Sequence, residues 1–143
     1  MSNPTAFTPH RVDIRFADID AMGHVNNAVY FSYFEQARIH FFREMIGREW
    51  DWDEHGMIVA RNEVDYLRPV YFRDNLFIHI GCSHLGNKSF TLTYTVIRPR
   101  PEGEEVVASG ASVLVCFNHR DGQTRPIPES WRSALTGLLS AAQ

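Results

Sequence analysis

Cysteine is scarce: two residues, Cys82 and Cys116, in a chain of 143. Both sit in strand-like runs, IHIGCS and VLVCFN, where a thiol reads as a small buried core residue. A disulfide scaffold needs denser cysteines in a shorter chain. A basic surplus is also missing. The formal net charge is -3, which argues against a nucleic-acid partner, although local basic spots could still hold a phosphorylated small molecule. No apolar run approaches the ~18 residues of a membrane span. The opening MSNPTAFTPHR lacks the apolar stretch of a secretory leader. The expected compartment is therefore the cytoplasm, with no membrane partner. The 7 histidines are scattered without close metal-ligand pairing, so no metal is expected. No G-x-S-x-G elbow, G-x-G-x-x-G turn or Walker loop is present.

What is present suits one soluble domain over residues 1–143, with 44% apolar and 22% charged residues. A domain of this size buries about 70% of its unfolded surface. Residues 11–16 (RVDIRF) alternate apolar and polar, which predicts a first strand. Residues 28–47 place Tyr30, Phe34, Ala37, Phe41 and Met45 at helical spacing. Phe31, Tyr33, Ile39 and Phe42 widen that stripe, so this helix expects to be surrounded. Asn26 is a cap candidate and Gly47 a stop. Strands follow at 57–67 and 76–82, a hairpin at LGNKS, then strands from Phe90 and over 106–117, with Gly110 as a candidate bulge. Pro126 and Pro128 lead into a short helix near 129–141. The expected fold is α+β: a curved antiparallel five-stranded sheet around one long central helix. Such a sheet leaves one face and at least one edge uncovered, and a second copy of the chain is expected to supply the cover.

The chemistry concentrates in FADIDAMGHVNNAVYFSYFEQAR, residues 16–38. Asp18 and Asp20 stand just before a glycine turn and a helix start. Free N–H groups at a helix N-terminus can hold a carbonyl oxygen as it becomes an oxyanion. A carboxylate a few residues upstream can attack the carbonyl carbon or activate a water. The same acids could instead serve only as caps or dipole partners.

The motif D-x-D-x-x-G-H-V-N-N-x-x-Y, from Asp18 to Tyr30, resembles the signature of the 4-hydroxybenzoyl-CoA thioesterase-like branch of hotdog-fold acyl-CoA thioesterases. The resemblance continues through VDYLRPVYFRDNL, LGNKSF and RPIPESWR, covering nearly the whole chain. It implies hydrolysis of an acyl-CoA to free acid and CoA, with CoA as part of the substrate and no separate cofactor. It makes Asp20 the catalytic carboxylate, as base or nucleophile, and the N–H near Asn27 the group that polarises the thioester carbonyl. Gly23 matches the turn that admits the thioester, and Tyr30 an aromatic beside the acyl pocket. His24, Val25 and Asn26 complete the expected substrate contacts. Asp18 matches a second acidic position. Glu35 lies mid-helix, where a related branch keeps its catalytic carboxylate, but Arg38 three residues on could pair with it. Lys88, Arg61, and Arg98 or Arg100 are candidates for CoA phosphates, Lys88 first. A homodimer or homotetramer with the site at the subunit seam is expected. The alternative is a non-catalytic hotdog protein that binds acyl-CoA or acyl carrier protein. Hydration of enoyl thioesters, another activity of this fold, uses a different Asp/His motif that is absent here.

Overall fold

The computed structural model describes residues 7–141, without side-chain detail at 140 and 141. Most of the opening segment read above for a leader lies outside the described residues. Strand β1 is His10–Val12, helix α1 Tyr30–Ile46, β2 Gly56–Tyr66, β3 Leu76–Leu85, β4 Ser89–Arg100, β5 Gly103–Asn118, β6 Gln123–Thr124 and helix α2 Glu129–Ala141. The antiparallel sheet runs β1-β3-β4-β5-β2, with the two-residue β6 beside β5. The curled sheet, the long helix and the short C-terminal helix form a hotdog fold.

The helix has a reason to lie close to the sheet. Phe34 is fully buried and stacks on Tyr94 of β4 with ring centroids 4.3 Å apart. Gly110 of β5 leaves the space: a Cβ there would sit 2.6 Å from the Phe34 ring. Gly110 stays in register with Tyr94 and Val64, so it is not the bulge that its sequence context suggested. The irregularity falls earlier, where Val96 pairs Ala108 and Ile97 pairs Val106, leaving Val107 out of register. The freed Val107 carbonyl accepts the N–H groups of Leu67 and Arg68, both at 3.0 Å, and pins the loop after β2.

The first strand is shorter than its alternation predicted. Residues Phe16–Asp18 form a 3-10 turn, because the Asp18 carboxylate draws back the Arg15 N–H at 2.9 Å. Phe16, expected to point inward, is 80% exposed. At the far end, buried Trp131 of α2 packs against Phe42 of α1, ring centroids 5.3 Å apart. Edge strand β2 is exposed along most of both faces, and Phe31 and Ile39 of α1 are also exposed. The helix is thus surrounded on only part of its apolar surface.

Candidate functional site

The segment before α1 is held by short-range bonds. Ile19 and Val25 form an antiparallel bridge, and Asp20 exchanges backbone bonds within the turn: its N–H donates to the His24 carbonyl and its carbonyl accepts from Gly23. Gly23 has φ +89°, a left-handed conformation that favours glycine, while a Cβ there would meet no atom within 4 Å. Backbone geometry, rather than crowding, makes glycine the fitting residue. Val25 is buried and its N–H donates to the Val70 carbonyl at 2.8 Å.

Asn26 joins the acid to the helix. Its side-chain amide donates to Asp20 Oδ2 at 3.2 Å, and its Oδ1 accepts the Ala28 N–H at 2.9 Å. Asn26 is thus a cap, as its position predicted, and a strut as well. Asp20 Oδ1 accepts the Met22 N–H at 2.9 Å. Asn27 opens a 3-10 turn, Asn27–Val29, that runs into α1. Its carbonyl accepts the Tyr66 hydroxyl at 2.6 Å. The 27–28 peptide is therefore fixed at both ends, its oxygen by Tyr66 and its N–H by Asn26. The neighbouring Asn27 N–H donates to no protein group among the described residues.

Asn27 lines a recess of about 210 Å³ with His24, Val25, Tyr30, Tyr66, Leu67 and Arg68. Tyr30 is buried, and burial pushes its hydroxyl up to about 12, so it is a neutral wall of the recess. The ring of Tyr66 meets it edge-on at 5.0 Å. His24 is half-buried, with Tyr71 edge-on at 6.1 Å. Asp20 is tied through Asn26 to the helix start beside this recess, and neither Asp20 nor Asn26 is among its lining residues.

Asp18 is separated from Asp20 by environment. It is buried and accepts from the Arg15 N–H, the Arg15 guanidinium and the Tyr33 hydroxyl, the last at 2.7 Å. Burial opposes its ionisation, but those donors outweigh burial and hold the carboxyl below its ordinary value. Burial and the bond to Asp18 raise Tyr33, which stays a donor. The Asn26 N–H also donates to the Asp18 carbonyl at 2.9 Å. Asp18 therefore ties the turn to α1.

The cationic candidates do not gather here. Arg98, expected to contact CoA, is buried and committed to the Asp74 and Glu105 carboxylates and the Pro69 carbonyl. That pairing anchors the loop at Pro69 and leaves no accessible fork for a phosphate. Arg100 pairs with Glu105. Arg61 is exposed on β2 and pairs with Glu63 at 3.1 Å. Lys88 is exposed in the β3–β4 hairpin, where its Nζ donates to Thr124 at 3.2 Å. Along β4, that hairpin lies at the opposite end of the sheet from Val96 and the recess, roughly 23 Å away at strand rise. Glu35 and Arg38 form no ion pair with each other; Arg38 turns to Tyr94 and Ser112.

Sequence reasoning missed Tyr66, Leu67 and Arg68 as walls of the recess. Their signal was VDYLRPVYF, an aromatic-rich segment cut by Pro69. Among the described residues no group of three or more His, Cys, Asp or Glu could hold a metal ion. No helix among them is long and apolar enough to cross a membrane.

The hotdog fold and the match to a thioesterase-like family model define the class of this chain. The chain belongs to the thioesterase-like superfamily, whose family model matches residues 14–135. It is 30% identical to the long-chain acyl-CoA thioesterase FadM of Escherichia coli K12 over 130 residues, 90% of this chain and 97% of that protein. A thioesterase of Thermus thermophilus, solved with coenzyme A and zinc, is 40% identical, with TM-score 0.76 over 92% of this chain and 93% of that one. A protein of Pseudomonas aeruginosa PAO1 is 28% identical, with TM-score 0.84 over 97% of this chain and 96% of the other.

Proposed function

We propose that this single domain hydrolyses an acyl-CoA thioester to a free acid and CoA, with Asp20 as base or nucleophile and the Asn27 N–H as oxyanion donor. The observation that carries this reading is the strut. Asn26 holds the Asp20 carboxylate at 3.2 Å and the helix start at 2.9 Å, beside an Asn27 N–H with no protein acceptor among the described residues. The thioester carbonyl sits at that N–H, which gains strength as charge develops on oxygen. As base, Asp20 takes a proton from water while the water oxygen bonds to the carbonyl carbon. As nucleophile, Asp20 forms an anhydride that water then opens. Either way the C–S bond breaks, CoA leaves as thiolate, and the acid is released. His24, Val25 and Tyr30 line the approach, and Gly23 shapes it. Arg68, exposed at the recess, is better placed for a CoA phosphate than Arg98.

The site is completed by a second subunit in this reading, as a homodimer or a pair of homodimers. Edge strand β2 offers eleven residues for antiparallel pairing with its own copy. That pairing carries the partner's hairpin to the Asp20 end, which would restore Lys88, and Arg61 near the seam, as CoA contacts.

The test is thiol release across short, long and aromatic acyl-CoAs. Asp20→Asn should lower turnover by about 10²–10⁴-fold, with binding of a non-hydrolysable acyl-CoA near normal. Unchanged turnover would refute the role of Asp20. Binding without turnover in the unaltered protein would make the chain an acyl-CoA or carrier-protein binder.

A further inference from the structure

Two imidazoles meet where β1 lies against α1, at the sheet edge opposite β2 and so away from the strand assigned to the subunit seam. His10 of β1 and His40 of α1 have ring centroids 5.6 Å apart. The Nε2 atom of each is shut from solvent and has no hydrogen-bond partner among the described residues. The rings border a gap of about 10 Å³, room for about one water, with Phe7, Thr8, Ala37, Phe41, Ile78 and Ile80 around it. One carboxylate stands near. Glu44 Oε1 is 3.5 Å from His40 Nε2, within ion-pair reach but outside hydrogen-bonding geometry, and Glu44 Oε2 accepts the Thr8 N–H at 3.0 Å. The other ionisable neighbours turn away. Arg43, three residues after His40, lines the β2 side of α1. Arg11 and His79 alternate with the inward residues of β1 and β3, which puts them on the outer face of the sheet. To the gap itself β3 presents Ile78 and Ile80. Burial, and then His40, hold His10 below its ordinary value.

We propose that His10 and His40 form a proton-operated latch, which holds β1 against α1 with at most one proton on the pair and releases it with two. Glu44 balances one positive charge. A second has no counter-charge, and two imidazolium rings at this distance repel. What else holds β1 is slight: three residues paired with β3, the Thr8 bond, and the Phe7 ring edge-on to Phe41 at 4.8 Å. Because His10 is neutral when docked, the latch contributes fully above the ordinary histidine value of about pH 6.5. It is lost as pH falls from there through the lower docked value. Just beyond β1 stands Arg15, whose N–H and guanidinium hold Asp18, so release reaches the turn that carries Asp20. That consequence for hydrolysis rests on the function proposed above; the latch itself does not.

Hydrogen exchange over residues 7–14 of the full chain, corrected for intrinsic rate and referred to β4 in the same sample, reads the latch at about pH 7.5 and about pH 5. Both lie above the range in which Asp18 protonates. Opening of β1 should rise about three- to ten-fold at the lower pH, the repulsion of like charges 5.6 Å apart in partly exposed surroundings. His10→Gln and His40→Gln each leave one imidazole, so the pair cannot take a second proton. Each should keep the protection seen at the higher pH and lose its dependence on pH, with β4 unchanged. Equal protection of β1 at both pH values in the unaltered chain would overturn the proposal. So would an acid-induced loss that persists in either variant. If a variant fails to dock β1, NMR titration of both imidazoles in the unaltered chain decides the matter. β1 must open with the second protonation step, and opening with the first would overturn the latch. Absent thioester hydrolysis would refute the proposed function and leave the exchange result standing.

Discussion

Asn26 performs two tasks with one side chain, and substitution can separate them. Its Oδ1 caps the helix start through the Ala28 N–H at 2.9 Å, and its amide nitrogen holds Asp20 Oδ2 at 3.2 Å. Asn26→Ala loses both. The lost cap should cost about 1 kcal/mol of stability, which lowers Tm by about 3–5 °C for a chain of this length. The lost bond to a carboxylate is worth about 1.5 kcal/mol, the low end because Asn26 is exposed. If Asp20 must be aimed, kcat should fall about ten-fold, with KM little changed. Asn26→Ser restores an Ncap acceptor, but its shorter side chain cannot also reach Asp20. Serine should therefore recover Tm and not kcat. Thermal denaturation and thiol release on the same preparations read the two effects separately. Recovery of both by serine would refute the strut. Full activity in the alanine variant would do so as well.

Tyr66→Phe removes the hydroxyl that holds the Asn27 carbonyl at 2.6 Å and keeps the ring against Tyr30. Turnover should drop by about three- to ten-fold with KM nearly constant, the loss of one neutral hydrogen bond; a change confined to KM would make Tyr66 a mere pocket wall. The Asp18 carboxyl has a depressed folded value, so its contribution is complete above the unfolded carboxylate value of about pH 4 and is lost as pH falls through the folded one. Urea midpoints at about pH 6 and about pH 3 should differ more for the unaltered chain than for Asp18→Asn, which is already destabilised at neutral pH by the lost pairing with Arg15 and Tyr33. An unchanged difference would show that other acids carry the acid sensitivity.

Local pattern determined much of this protein. The apolar spacing of residues 28–47 marks α1, Asn26 and Gly47 mark its ends, and the Thr-rich alternation after Phe90 marks β4. Asp20, Gly23 and Asn27 were also legible as an acid, a turn and a helix start, because helix termini expose N–H groups wherever they occur. Tertiary structure decided the rest. The division of Asp18 from Asp20 depends on Tyr33 reaching back fifteen positions, a contact that no local pattern specifies. The bulge fell at Val107 rather than Gly110, because Phe34 needed the glycine's space and the loop at Leu67 needed the carbonyl. Arg98 looked like one basic residue among several until packing buried it between Asp74 and Glu105. Lys88 and the recess belong to opposite ends of one sheet, a separation set by strand pairing across the fold. Sequence gives each residue its chemistry and its local direction; packing decides which distant groups meet, and so which charges stay free to act.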